Sequence, residues 1–230
     1  MKTVIIHGQS HKGSTYHVAR SLAEKIGGEI TDFFLPADFG EFCTGCNRCF
    51  FKGETACPHH DRLAPITAAM DAADVVILAS PVYVYHVTGA MKAFLDHLAY
   101  RFMVHRPERS MFRKQGVCIC TAAGGGMRSA LKDMEHSLFF WGTAKVYKYG
   151  PGVAAATWEG VSDKKKAAID RAASRLAGKI VRRCGKVKPG LKTILFFNLM
   201  RLVQKKVRIC PCDVEYWTEK GWLENKRPWK

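Results

Sequence analysis

Asp74-Val75-Val76-Ile77-Leu78-Ala79-Ser80-Pro81 carries an unbroken apolar run that stops at a serine and a proline. Only a strand covered on both faces tolerates such a run, because a strand with one wet face alternates apolar and polar residues. It is therefore predicted as the central strand of a parallel sheet. Toward the N-terminus, Lys2 to Ile6 is a second apolar, β-branched run, ending at His7-Gly8. Ser14 to Ile26 then spaces Val18, Leu22, Ala23 and Ile26 at helical intervals before Gly27-Gly28. Glu29 to Leu35 reads as a strand, and a helix begins near Leu63 beyond a cysteine-rich loop from Cys43 to Cys57. Toward the C-terminus come a helix from about Thr88 to Tyr100, a strand from Gly116 to Thr121, a helix to about Trp141 and a strand from Ala144 to Tyr149. Asp163 to Cys184 is an amphipathic helix with Ile169, Ala172, Ala173, Leu176 and Ile180 on one face. Strands that alternate with helices call for an α/β, doubly wound, five-stranded parallel sheet of order 2-1-3-4-5, with its ligand at the carboxyl ends of the strands.

A chain of 230 residues with 47% hydrophobic content suits one such domain, and a second full domain would be cramped. The net charge of +16 is unevenly placed: residues 161 to 230 hold 19 Lys/Arg against 6 Asp/Glu, and the rest of the chain is nearly balanced. The positive charge thus belongs to the tail rather than to the main site. No run of about 18 apolar residues is present, and Met1-Lys2 leads directly into Thr3-Val4-Ile5-Ile6. The expectation is an unexported, cytoplasmic protein. Nine cysteines, four of them within residues 43 to 57, point in a reducing compartment to metal or redox chemistry rather than to a disulfide framework.

The loop after the first strand, His7-Gly8-Gln9-Ser10-His11-Lys12-Gly13-Ser14-Thr15, is rich in hydroxyl and backbone donors and feeds a helix N-terminus, a ready anion site. It has neither the Walker pattern nor the three-glycine dinucleotide fingerprint, so a mononucleotide phosphate fits it better. The plainer use of Ser14 is as the helix N-cap. At the same sheet edge, Ser80-Pro81-Val82-Tyr83-Val84-Tyr85-His86 offers an apolar wall for a flat ring, or simply tyrosine anchors for its own loop. Thr121-Ala122-Ala123-Gly124-Gly125-Gly126 lets backbone approach a ligand closely after the fourth strand.

Ser80-Pro81-Val82-Tyr83 followed by Gly89-Ala90-Met91-Lys92-Ala93-Phe94-Leu95-Asp96 resembles the signature of the NADPH-dependent FMN reductase and iron-sulfur flavoprotein branch of the flavodoxin-like superfamily. The serine-rich first loop, Cys43-Thr44-Gly45-Cys46-Asn47-Arg48-Cys49 and Thr121 to Gly126 match the same branch in the same order, over roughly residues 1 to 185. The resemblance implies a flavodoxin-like domain over 1–186 and a basic, partly helical C-terminal extension over 187–230. It implies that Ser10, His11, Lys12, Ser14 and Thr15 surround an FMN phosphate, and that Pro81, Val82, Tyr83, Val84 and Tyr85, with Thr121, Ala122, Ala123, Gly124 and Gly125, border the isoalloxazine. Two departures stand out. The first loop is one residue shorter than the usual form, which shifts phosphate ligands by a place, and Val84 stands where relatives often carry an aromatic.

The implied function is an FMN-dependent oxidoreductase that passes reducing equivalents from NAD(P)H to a small-molecule or protein acceptor. The flavin carries the chemistry, so no catalytic side chain is required. His86 and Tyr85 qualify as proton donors by position only. The other readings are an iron-sulfur flavoprotein that carries single electrons between ferredoxin-like partners and FMN, and a peripheral membrane-associated flavin-binding module. Cys43, Cys46, Cys49 and Cys57 have the spacing of iron-sulfur flavoproteins and are candidate ligands of a [4Fe-4S] cluster. Zinc on the same four thiols, or a metal-free cover loop, are the alternatives. Cys118 and Cys120 alternate with Val117 and Ile119 and read as small core hydrophobes.

In the tail, Lys192 to Val207 has Asn198, Arg201 and Lys205 as one narrow polar face beside Ile194, Leu195, Phe196, Phe197, Leu199 and Met200. It is too short to span a bilayer, and residues 190–209 either dock on the core or a second subunit, the favoured reading, or lie on an anionic membrane surface. No nucleic-acid-binding motif appears, and the family resemblance implies a homodimer.

Overall fold

The computed structural model describes residues 1–208 and 210–230. Position 209, the end of the segment singled out for membrane contact, lies outside the described residues. Five parallel strands, β1 (Lys2–His7), β2 (Glu29–Phe34), β3 (Val75–Ala79), β4 (Gln115–Ile119) and β5 (Lys145–Tyr149), form one sheet in the order β2-β1-β3-β4-β5. The fold is the flavodoxin-like α/β sheet that the apolar runs imply. Around it lie α1 (Ser14–Ile26), α2 (Arg48–Phe51), α3 (His60–Ala72), α4 (Gly89–His97), α5 (Met127–Phe140), α6 (Asp163–Arg183), α7 (Leu191–Lys206) and α8 (Pro211–Glu219).

The two-residue period of a strand explains why β3 had to be apolar throughout. Val76 and Leu78 face one layer, together with Val4, Ile6 and Cys118, and meet Leu63, Ile66 and Met70 of α3, Met91 and Phe94 of α4, and Met134 and Leu138 of α5. Val75, Ile77 and Ala79 face the other layer, with Ile5, Val117 and Ile119, and meet Val18 and Leu22 of α1 and Ile169, Ala173 and Ile180 of α6. Each such fully buried aliphatic side chain contributes about 1.5–3 kcal/mol of transfer free energy, so either layer alone would leave half the run unrewarded. Cys118 and Cys120 belong to the first layer as small hydrophobes, and burial pushes the Cys120 thiol up to about 12. Register places His7, Ala79, Ile119 and Tyr149 at one edge, through the pairs His7 with Ala79, Ala79 with Ile119 and Ile119 with Tyr149. The loops that follow these strands therefore share one rim.

Two helices differ most from the sequence expectation at their ends. The third helix starts at His60 rather than near Leu63 and runs through Pro65, a residue that reads as a breaker in sequence. The fourth starts at Gly89, with the Thr88 hydroxyl accepting from the Met91 N–H 3.1 Å away, and ends at His97. Ala99–Arg101 then tightens into a 3₁₀ turn, with the buried Arg101 guanidinium paired to Asp71.

The tail helices pack against the chain before β4 through Met103, Phe112, Phe197, Met200, Trp217 and Trp222. Trp217 Nε1 donates to the His105 carbonyl at 2.5 Å, and Arg201 donates to the carbonyls of Trp222 and Leu223 at 2.8 and 2.9 Å. This overturns the expected polar face of α7. Arg201 is drawn inward by those carbonyls, Thr193, Phe197, Met200 and Gln204 form the buried side, and Leu191, Leu195, Leu199 and Leu202 are left exposed.

Candidate active site

The carboxyl-edge loops are bound to one another through backbone groups, which is why they form a cleft rather than a set of independent loops. Gly8 N–H donates to the Ala79 carbonyl at 2.7 Å, Ser80 N–H to Ile119 at 3.0 Å, and Val82 N–H to Thr121 at 3.0 Å. The Thr88 hydroxyl donates to the Gly8 carbonyl at 2.6 Å, and a Cβ at Gly8 would come within 2.9 Å of that hydroxyl, so only glycine permits this approach. Val153 N–H donates to the Ala122 carbonyl at 2.9 Å and brings in the loop after β5. The cleft has a volume of about 230 Å³.

At its floor, Thr15 Oγ1 lies 2.7 Å from Thr121 Oγ1, both residues buried, so the first and fourth strand loops meet through hydroxyls. The N-cap of α1 is Gly13, and no side chain caps the helix. The Ser14 hydroxyl is thus not spent as a cap, and the first-turn N–H groups keep the donor capacity and partial positive charge that an anion seeks.

His7 closes the back of the cleft. Its Nε2 lies 2.8 Å from Asp32 Oδ1, and its ring stacks on Phe34 with centroids 4.6 Å apart. Burial pushes the Asp32 carboxyl up, but the hydrogen bond to His7 and the charges of His7 and Arg20 outweigh it and hold the group below the usual carboxylate range. The opposite lip is a two-residue turn in which Tyr83 and His86 exchange N–H to carbonyl bonds of 3.0 Å each way. Val84 and Tyr85 have φ of 48° and 67°, the left-handed pair that a type I′ turn demands and that glycine or asparagine usually supplies. The turn is held open to solvent, with Val84 93% and Tyr85 70% exposed.

The cysteine loop lies against the tail. Cys43 and Cys46 are exposed, and Cys49 and Cys57 are half-buried. Burial pushes the Cys49 thiol up, and the neighbouring charges of Cys57, Cys43 and Cys46 add to it, so the four sulfurs share one electrostatic neighbourhood. A tetrahedral zinc site would draw thiolates to about 3.8 Å of one another. Among the described residues, no three of these sulfurs come within 4.8 Å of one another. In a [4Fe-4S] cluster each thiolate takes a different iron, which asks for a wider spread, and the four-thiol donor set suits iron.

The sequence profile of the NADPH-dependent FMN reductases matches residues 1–157. The chain belongs to the NADPH-dependent FMN reductase family. Among relatives of this reductase, an iron-sulfur flavoprotein of Archaeoglobus fulgidus is 32% identical over 97% of this chain and 100% of its own length. A NADPH azoreductase of a Bacillus species is 29% identical over 60% of this chain and 68% of its own. The solved FMN-dependent NADH-azoreductase of Bacillus anthracis, in complex with FMN, superposes with a TM-score of 0.56 at 15% identity, over 77% of this chain and all of that one, a likeness of fold.

Of the residues expected in this reductase's flavin site, His11, Ser14, Thr15, Pro81, Val82, Tyr83, Thr121, Ala122 and Ala123 line the cleft. Ser10, Lys12, Val84, Tyr85, Gly124 and Gly125 do not. Ser10 donates to the Leu35 carbonyl at 3.2 Å, and Lys12 Nζ sits over the Tyr16 ring at 5.5 Å. His86 faces away, with Nδ1 2.9 Å from Asp133 Oδ2. The cleft also takes in His7 and Gln9, which the sequence reading placed in the anion loop but not among the flavin ligands, and Tyr16, Val153, Ala155 and Ala156, which it missed. The signal for the last three was the carboxyl-edge rule itself, applied to the strand at the sheet's edge as well as to the central ones.

Proposed function

We propose that this FMN-dependent oxidoreductase binds FMN in the cleft at the carboxyl edge and passes reducing equivalents from NAD(P)H to a small-molecule or redox-protein acceptor. The observation that carries the reading is the uncapped N-terminus of α1, with the free Ser14 hydroxyl, facing a cleft walled by Pro81, Val82 and Tyr83. Ser14, His11 and the first-turn N–H groups hold the phosphate, and the 81–83 and 121–123 segments orient the ring system. The volume of about 230 Å³ is below the roughly 300 Å³ at which whole-ligand pockets begin, so the cleft would take only part of an FMN molecule. Bound FMN supplies the electron and hydride chemistry. The protein contributes placement, a polar floor at Thr15 and Thr121, and exclusion of water by the Val82 and Val153 sides.

Residues 1–186 are on this reading the flavin-binding unit, and 187–230 an extension packed beside it. Cys43, Cys46, Cys49 and Cys57 hold a [4Fe-4S] cluster next to it, a reading supported by their shared neighbourhood and by the likeness to the Archaeoglobus protein over its whole length. The exposed leucines of α7, flanked by Lys188, Lys192, Lys205 and Lys206, suit contact with an anionic membrane surface.

Anaerobic FMN titration, followed by reduction with NADH and with NADPH, tests the proposal. Stoichiometric FMN uptake and bleaching of the flavin spectrum by a nicotinamide are expected, and a chain that takes up no FMN sinks it. Iron and acid-labile sulfide analysis of anaerobically prepared protein decides the cluster separately.

A further inference from the structure

A second groove runs between α5, the edge strand β5 and the start of α7. Its volume is about 730 Å³, and it shares no lining residue with the carboxyl-edge cleft. That size falls within the roughly 300–1,000 Å³ of small-molecule pockets. Its charge is one-sided. Arg128, Lys132, Lys145, Lys148 and Lys192 line it against one carboxylate, Glu135, which Lys148 already neutralises at 2.7 Å. Leu131, Phe139 and Val146 supply an apolar wall, and Lys192 Nζ is held at that wall, 4.5 Å from the Phe139 ring centroid.

The start of α7 forms one end of the groove. Gly190, the N-cap, lines it with Lys192 and Thr193 of the first turn, and no side chain caps this 16-residue helix. The first-turn N–H groups therefore keep their donor capacity and partial positive charge. Thr143 gives a second observation, independent of the helix. It lines the same groove, is 2% exposed, and its Oγ1 has no hydrogen-bond partner among the described residues. Its methyl is turned to β4, where a Cβ at Gly116 would come within 3.1 Å of Cγ2, so the hydroxyl takes the other branch, on the groove side. The Thr143 N–H is spent on the Leu138 carbonyl at 3.0 Å. A buried hydroxyl left unpaired costs free energy that an incoming acceptor recovers.

We propose that this groove binds an organic phosphate. The start of α7, the Thr143 hydroxyl and the surrounding lysines hold the phosphoryl group, and the apolar body lies along Leu131, Phe139 and Val146. A phosphoryl dianion accepts several hydrogen bonds at once, which suits a helix start beside ammonium groups. The site exists because the C-terminal extension docks beside α5 and β5, and α7 lies beyond residues 1–157 that match the reductase family.

The test uses the full-length protein loaded with FMN, so that the flavin cleft is filled. Calorimetric titration at low ionic strength compares 1-naphthyl phosphate, inorganic phosphate and 1-naphthol. One saturable equivalent of 1-naphthyl phosphate is expected, with weaker binding of inorganic phosphate, none of 1-naphthol, and affinity that falls as salt is added. In Thr143→Val the affinity falls by about tenfold or more, the worth of a hydrogen bond to a charged group, while the melting temperature of the unliganded protein holds or rises. Lys132→Glu/Lys145→Glu, at two exposed positions outside α7, abolishes binding. Release of the protein from phosphatidic acid vesicles by 1-naphthyl phosphate assigns the phosphate to a lipid headgroup, and vesicle binding that is unaffected assigns it to a soluble compound. The proposal is overturned by absence of saturable binding, by 1-naphthol binding as tightly as its phosphate, or by unchanged affinity in either variant. Thr143, Lys132 and Lys145 lie outside the flavin cleft, so FMN uptake is the same in wild type and variants, and its failure would touch the flavin reading alone.

Discussion

Arg106 and Asp213 form a buried ion pair that fastens the cysteine loop to the C-terminal extension. One guanidinium nitrogen donates to Asp213 Oδ1, another to the Cys49 carbonyl, and Nε lies 3.4 Å from Glu54. The second oxygen of Asp213 lies 2.7 Å from His105 Nδ1. Loop, body and tail are thus joined at one carboxylate that is 1% exposed.

Removing one partner of such a pair leaves a buried charge without compensation, at a cost of about 3–5 kcal/mol. Asp213→Asn is therefore expected to lower stability toward urea by an amount in that range and to raise hydrogen exchange across residues 43–57. Exchange unchanged in that loop would mean that the tail does not hold it.

The uncapped start of α1 predicts that Ser14→Ala weakens FMN binding by about 1.5–3 kcal/mol, the worth of a hydrogen bond to a charged group. Folding stability should barely change, because the hydroxyl caps nothing. Fluorescence titration of FMN beside thermal melting of the free protein separates the two effects.

The turn at Val84 and Tyr85 carries backbone strain that a β-branched residue meets with particular difficulty at positive φ. Val84→Asn is expected to raise stability by roughly 1 kcal/mol, because asparagine accepts the left-handed region. A destabilised variant would show that Val84 makes contacts that outweigh the strain.

Asp32 titrates below its ordinary value in the folded state, so its contribution is fully present above the unfolded carboxylate range, near pH 4, and is lost as pH falls through the lower folded value. Asp32→Asn should cost on the order of 1–2 kcal/mol at pH 7, and the difference should shrink toward pH 3. Urea melts of both proteins at the two pH values check the sign. A loss that grows on acidification contradicts it.

The leucines at 191, 195, 199 and 202, half to three-quarters exposed beside basic flanks, predict binding to anionic vesicles that weakens as salt is added. Vesicle flotation of Leu195→Glu/Leu199→Glu should show that binding lost. Flotation unchanged in the variant counts against a membrane contact there, and a change of oligomeric state instead would assign the stripe to a second copy of the chain.

The apolar run at 75–79 determined the sheet, because an uninterrupted strand is stable only between two covered faces, and the order of the loops then placed three of them at one rim. The motifs at 80–83 and 121–126 likewise pointed to the rim where Pro81, Val82, Tyr83, Thr121, Ala122 and Ala123 line the cleft. Local pattern was enough where the cause was local. It did not say that Gly13 rather than Ser14 would cap α1, that Ser10 would turn to Leu35, or that Arg201 would point inward to the Trp222 carbonyl. The settings of Ser10 and Arg201 depend on partners more than twenty residues away in the chain. The meeting of Arg106 with Asp213 has the same origin, since polar groups that leave water are satisfied by whatever the tertiary packing brings within reach.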